Sequence, residues 1–300
     1  MEIKNRSKIC LIVSAAIIVI ALVLTLIGQG INLGIDFEGG LSMQYDMKAE
    51  IAKGDVEAVL SGMNVKSYTV TVQGSGNNEA YIRIKDVAQD DIQNIQSEFE
   101  QGIHEKYPEA ISIGDVNYVG PVAGATLVKN AILSVLLASV LMLIYIAIRF
   151  DLNSGLSAVF GLLHDVLIML SFMVLLRSVI QMNSSFIAAA LTIVGYSINN
   201  TIVIFDRIRE NAKKYPSMPR EEVSNISIKE SLGRTILTTL TTLITIVALC
   251  ILGVASIREF ALPIIIGILS GVYSANMINP YVWAFLEEKR IARKAKAKKA

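Results

Sequence analysis

Six stretches of this chain are each close to 20 residues long, nearly free of charge and set apart by polar segments: residues 9–27, 131–148, 156–176, 186–205, 235–255 and 260–285. A helix of about 20 apolar residues covers the roughly 30 Å of bilayer hydrocarbon, and only helices or closed barrels satisfy their own backbone there. The spacing therefore predicts an α-helical membrane protein with six spans. A hydrophobic content of 53% over 300 residues agrees, being too high for an ordinary soluble domain.

The first stretch follows a basic start (Lys4, Arg6, Lys8) and resembles a secretory signal, but its apolar region is too long and no A-x-A site follows. It is read as an uncleaved anchor. Basic residues also crowd residues 207–234 (Arg207, Arg209, Lys213, Lys214, Arg220, Lys229) and the tail (Lys289, Arg290, Arg293, Lys294, Lys296, Lys298, Lys299). By the positive-inside rule these segments and both termini are expected in the cytoplasm, which leaves residues 28–130 outside. The domains expected are 1–29 (N-terminus and first span), 30–130 (an outer domain), 131–286 (spans two to six) and 287–300 (a basic tail). The 27 basic and 26 acidic residues nearly balance, so nothing points to nucleic acid. Cys10 and Cys250 lie inside apolar runs at opposite ends of the chain, which supports neither a disulfide framework nor a metal cluster.

The outer segment has soluble patterning and the size of one domain. Strands are expected at 41–47, 65–73, 80–85 and 110–119, with helices at 55–61 and 90–107; Ile92, Ile95, Phe99 and Ile103 form the apolar face of the second helix. The order is βαββαβ, the ferredoxin-like plan. No catalytic constellation is present, since His104 has no serine or cysteine partner nearby in sequence, and a binding or coupling module is expected. Two glycine-rich joints bracket it: GIDFEGG with Gly34, Asp36, Gly39 and Gly40, and VGPVAG with Gly120 and Pro121. Glycine permits positive φ, and proline readily starts a helix. GIDFEGG lacks the lysine and spacing of a phosphate-binding loop, so both are read as joints on which the domain pivots.

Polar groups inside the spans carry the functional question. His164 and Asp165 stand mid-span in the third stretch, where a carboxylate is expensive and usually functional. Asp165 is either an ion or proton ligand, a gating hydrogen-bond partner, or a buried structural group. Asn199 and Asn200 in the fourth stretch hydrogen-bond but do not titrate; they are glue between helices or part of a transport path. Asp206, about 9 Å further along the same helix, is expected to pair with Arg209 or Arg234. The fifth stretch carries Thr235, Thr238, Thr239, Thr242 and Thr245 on one stripe. These hydroxyls either close on their own backbone or line a water path. Arg234, just before them, is a snorkelling cation at the inner edge or a deeper charge partner. Ser274, Asn276, Asn279 and Pro280 in the sixth stretch suggest a kink near Asn276.

GIDFEGG, the VGP joint, HDV in the third span, VGYSINNTIVIFDRIREN in and after the fourth, and SLGRTILTTLTT at the start of the fifth together resemble the SecF family of bacterial protein-export membrane proteins, part of the SecDF complex. The resemblance covers nearly the whole chain. It implies a six-span half of an RND-type transporter in the bacterial plasma membrane, paired with SecD and carrying an extracytoplasmic ferredoxin-like domain. The implied activity is use of the proton gradient, or sodium, to help draw unfolded preproteins outward after SecA and the SecYEG channel have begun translocation; YajC and membrane lipid are further implied partners. No cofactor, metal or enzymatic activity is implied.

In that family a fourth-span aspartate, in a pattern like SINDT, and a fifth-span arginine sit on the ion path. The arginine corresponds to Arg234, whereas Asn200 occupies the aspartate position. An aspartate alternates between charged and neutral forms and an asparagine does not. Either the partner's carboxylate carries the ion, which is the favoured reading, or Asp165 takes the role, or coupling is weak. Asn200 is also able to offer its carbonyl oxygen to a dehydrated cation. Two other functions compete: an RND-like exporter of a small molecule or lipid, for which the outer segment shows no concentrated aromatic pocket, and a non-transporting scaffold for SecD or the channel.

Overall fold

The computed structural model describes residues 3–63, 65, 67–74, 76–113, 116–253 and 255–297. Lys298 and Lys299 of the basic tail fall outside the described residues, as do Lys66, Ser75, Gly114, Asp115 and Val254 within or beside expected elements. The chain forms two compact units, one of residues Met1–Asn32 with Leu133–Ala300 and one of Leu33–Ile132.

After the apolar helix α1 (Ile3–Leu26), the second unit runs α2 (Ile35–Glu38), β1 (Gly40–Asp46), α3 (Lys53–Gly62), β2 (Tyr68–Gln73) and β3 (Glu79–Ile84). A 3₁₀ turn at Gln89–Asp91, α4 (Ile92–Lys106), β4 (Ile111–Ser112) and β5 (Asn117–Val119) complete it. The strands form one antiparallel sheet in the order β2-β3-β1-β4, with β5 also on β1, which is the ferredoxin-like arrangement. Alternation on β1 turns Leu41, Met43 and Tyr45 inward opposite Ile84, Ile82 and Ala80. Val56 and Leu60 of α3 and Phe99 and Ile103 of α4 close the core over them. Each such side chain contributes about 1.5–3 kcal/mol by leaving water. His104 is structural here, its Nε2 lying 2.9 Å from the Ala110 carbonyl.

The single last strand expected over 110–119 is two short ones. Ser112 pairs with Tyr45 and Asn117 with Ser42. The pairing register differs by two residues between β4 and β5, so they do not continue one ladder. At the glycine-rich joints, Gly39 and Gly40 have φ of +80° and +128°, and a Cβ on Gly40 would lie 2.5 Å from the Ile84 carbonyl oxygen. The second joint packs on the first, because a Cβ on Gly124 would come within 2.9 Å of the Phe37 carbonyl oxygen.

The other unit continues with α5 (Pro121–Arg149), α6 (Leu152–Leu175), α7 (Ser184–Lys214), α8 (Arg220–Leu252) and α9 (Ala255–Tyr273). A π-helical segment at Ser274–Ile278 leads into α10 (Asn279–Ala297) without a break. Among the described residues six helical segments are long and apolar enough to cross a membrane, and the chain is a multi-pass membrane protein. α6, α7 and the α9–α10 helix form the interior, while α1, α5 and α8 are peripheral. Glycine sets the closest approach: a Cβ on Gly267 of α9 would lie 2.4 Å from Ile193 of α7, so these helices meet at small residues. The π segment sits where the kink was expected. Pro280 has no N–H to give the carbonyl four residues earlier, and the register widens to compensate, with the Asn276 side chain donating to the Val272 carbonyl at 2.7 Å.

Candidate functional site

Asp165 is completely buried at the middle of α6 and both of its carboxylate oxygens are hydrogen-bonded. Its Oδ2 accepts from Ser197 Oγ of α7 at 2.5 Å and from Ser274 Oγ of the π segment at 2.8 Å. Its Oδ1 accepts from Ser270 Oγ of α9 at 2.7 Å and lies 3.0 Å from His164 Nδ1. Successive residues on a helix point about 100° apart, yet the imidazole folds back onto its neighbour. His164 Nε2 then lies 2.7 Å from Ser14 Oγ of α1 and 2.8 Å from the Tyr273 hydroxyl, which are themselves 2.6 Å apart. The Tyr273 ring meets the imidazole edge-on, at 5.3 Å and 88°.

Four helical segments thus converge on one carboxylate that is fully buried. Burying an ion alone costs several kcal/mol, and here hydrogen bonds from three hydroxyls and the imidazole offset that cost. The chemistry open to the group follows from the donors. A carboxylate only accepts, whereas each hydroxyl both donates and accepts, and an imidazole holds one proton or two. Through His164 the network of hydrogen-bonding groups continues from the carboxylate to the Ser14 and Tyr273 hydroxyls. Among the described residues no three His, Cys, Asp or Glu side chains gather as a metal site.

One helical turn before Asp165, Gly161 leaves room for Asn279, whose Oδ1 would be 2.0 Å from a Cβ there. Asn279 Nδ2 donates to Thr201 Oγ1 at 2.9 Å, and Ser224 Oγ donates to the Pro280 carbonyl at 3.3 Å. Asn200, next to Thr201, is 3% exposed, and its Nδ2 has no partner. Polar groups thus continue from Asp165 toward the ends of the helices where α7 meets α8.

The other expected residues distribute differently. Tyr196 donates to Thr239 Oγ1 at 3.1 Å and fixes the register of α7 against α8. Asn200 lies four residues past Tyr196 and Arg234 five before Thr239, at about 1.5 Å per residue, so the two stand at nearly one level. They do not meet: Asn200 is buried, while Asn199 and Arg234 are exposed on the bundle surface. Thr238 and Thr242 donate to the carbonyls of Arg234 and Thr238, at 2.8 and 3.0 Å, and so close on their own helix. Only Thr235 and Thr239 of that stripe are buried. Asp206 pairs with neither Arg209 nor Arg234. Its partner is Arg149 at the end of α5, at 3.5 Å.

Ser14, Ser270 and Tyr273 did not stand out in sequence, since single hydroxyls are common in apolar helices. The i, i+4 spacing of Ser270 and Ser274, facing a carboxylate, is the signal that was there to be read.

The family described as protein export membrane protein SecD/SecF, C-terminal, matches residues 99–289, and the SecD/SecF GG motif matches residues 25–49. Among similar proteins is the protein translocase subunit SecF of Rhodothermus marinus, 35% identical over 97% of this chain and 94% of that protein. The protein of the same name from Calditerrivibrio nitroreducens is 36% identical over 90% of this chain and 89% of its own. A solved structure of SecDF, a translocon-associated membrane protein from Thermus thermophilus, superposes with a TM-score of 0.84 at 30% identity over 96% of this chain. SecDF in a super-membrane-facing form gives 0.66 at the same identity. The chain spans 39% of the length of those SecDF chains.

Proposed function

Because this chain belongs to the SecD/SecF family of protein export membrane proteins, with SecF translocase subunits as its full-length relatives, we propose that it uses an ion gradient to promote the late, outward stage of preprotein translocation. It acts in the bacterial plasma membrane with both termini in the cytoplasm and the ferredoxin-like unit outside. Its partner is SecD, which supplies what the longer SecDF chains hold beyond this one. The pair serves the SecYEG channel, with SecA and YajC in the same machinery.

The observation that carries this reading is Asp165. A fully buried carboxylate held by Ser197, Ser270, Ser274 and His164 is a group whose charge state shapes the packing of four helical segments. It supplies the titratable group that Asn200 removes from the fourth span, and the Ser14 and Tyr273 hydroxyls on His164 favour a proton as the coupling ion. The partner's own carboxylate then acts beside Asp165 rather than alone. Exposed Asn199, Arg234 and Thr238 support the partner assignment, since polar groups facing hydrocarbon are costly and a second bundle over α7 and α8 covers them.

A scaffold that merely stabilises SecD is favoured by Asn200 alone. Pulse-chase secretion of a preprotein in cells carrying Asp165→Asn tests the two. Slowed secretion with normal SecD levels supports coupling, and normal secretion supports the scaffold.

A further inference from the structure

At the end of the helical bundle where α5 and α7 leave their apolar runs, a cavity of about 470 Å³ opens between α5, α6, α7, α8 and α10. Ligand pockets have volumes of this order. Five cations line it, Arg149, Arg209, Lys213, Arg220 and Arg290, against two carboxylates, Asp151 and Glu287.

The carboxylates are already engaged. Glu287 accepts from Arg290 at 2.5 Å and from Asn153 at 2.6 Å, and Asp151 accepts from Ser154 at 2.5 Å. Arg149 has Asp206 at 3.5 Å, whereas Arg209, Lys213 and Arg220 have no ion pair among the described residues. Arg220 spends Nη2 on the Pro216 carbonyl at 3.2 Å, and its Nη1 is buried without a partner. A buried guanidinium N–H left unpaired is costly, and phosphate oxygens are the acceptors that guanidinium geometry suits best.

Arg209 and Lys213 stand one turn apart on α7 and present one charged face. Phe150, Phe205, Ile208 and Trp283 make the rest of the wall apolar. A snorkelling cation needs no cavity, and a site for a soluble anion needs no apolar wall at the membrane boundary.

We propose that this cavity binds the phosphate headgroup of an anionic phospholipid, with Arg209, Lys213 and Arg220 on the phosphate and the acyl chains leaving along the apolar wall. The shared chemistry with free phosphate is the phosphoryl group; the apolar wall and the position at the membrane boundary point to the lipid.

Trp283 is the only tryptophan in the chain and lines the cavity, so it reports occupancy directly. The experiment uses the full chain in phosphatidylcholine nanodiscs doped with brominated phosphatidylglycerol or brominated phosphatidylcholine, and reads quenching of Trp283. Brominated phosphatidylglycerol is expected to quench at about fivefold lower mole fraction or better, the weight of a single cation near an anionic lipid. The double variant Arg209→Gln, Lys213→Gln should lose that preference, while Lys214→Gln, outside the cavity, should keep it. Equal quenching by the two lipids overturns the proposal, as does a preference that survives the double variant. Millimolar inorganic phosphate should not relieve the quenching; full relief would assign the site to a soluble phosphate and overturn the lipid.

Discussion

Replacing Asp165 by asparagine removes a charge and little else, and the structure allows its cost to be worked out. Oδ1 still accepts from Ser270 and stays near His164. The amide that replaces Oδ2 can no longer accept from Ser197 and Ser274, but each hydroxyl turns to accept from it instead. Exchanging charge-assisted for neutral hydrogen bonds costs about 1–2 kcal/mol. Asp165→Ala differs in kind: it strips the acceptor from three hydroxyls and an imidazole, and the loss is about 3–5 kcal/mol, as when a buried charged pair is broken. Ser274 recovers part of this through the Gly271 carbonyl, already 3.2 Å away. The assay is preprotein translocation into proteoliposomes holding this chain, its partner half and the channel, with and without an imposed proton gradient. Asp165→Asn should assemble normally, translocate at the gradient-independent rate, and lose the increment the gradient adds. Asp165→Ala should lose the increment and assemble poorly. A full gradient-dependent increment in Asp165→Asn would refute the reasoning.

Three further outcomes are expected. Gly161→Ala forces Asn279 away from α6, since its Oδ1 would lie 2.0 Å from the new Cβ; overpacking of about 1–3 kcal/mol should lower the thermal midpoint, and an unchanged midpoint would contradict the packing described. In the ferredoxin-like unit, hydrogen bonds from the Lys48 ammonium, then the Lys48 backbone N–H, hold Asp46 at about 2, below its ordinary 3.8. Lys106 and then Tyr107 likewise lower Asp55, and that contact pushes Tyr107 up to about 12. Both acids have depressed folded values, so their stabilisation is complete above the ordinary value and is lost as pH falls through the folded value, about 2 for Asp46. Amide exchange in β1 and β3 should accelerate over that interval in the native chain and much less in Asp46→Asn. Finally, in a chain with Cys10 and Cys250 replaced by serine, Gln101→Cys should react with an impermeant thiol reagent added outside cells and Ser217→Cys only after permeabilisation; the reverse pattern would invert the topology.

The spans were legible because apolar length is decisive in a bilayer, and the outer strands because alternation selects a face: Leu41, Met43 and Tyr45 did both pairing and packing. Helix ends were not, since a membrane edge is not a helix end; α7 runs on to Lys214 and α10 to Ala297 through residues that favour helix in water. The register shift between β4 and β5 depends on pairing with a strand some 70 positions earlier, which local pattern does not encode. Within the site, Asp165 and His164 announced themselves by the cost of burial. Their serines did not, and the more visible threonine stripe of α8 closes mostly on its own carbonyls. The partner of Asp206 comes from α5, whereas the expected partners Arg209 and Arg234 lie on α7 and α8.

The central claim is that the His164–Asp165 pair gains and loses a proton during transport. Infrared difference spectroscopy of the reconstituted complex, taken between the two signs of an imposed pH gradient, reads carboxyl protonation directly. The account predicts a carboxylic-acid carbonyl band that appears on the acidic side, shifts when His164 is replaced by glutamine, and is absent in Asp165→Asn. Transport that still follows the gradient in a complex whose spectrum shows no such band from Asp165 would contradict it.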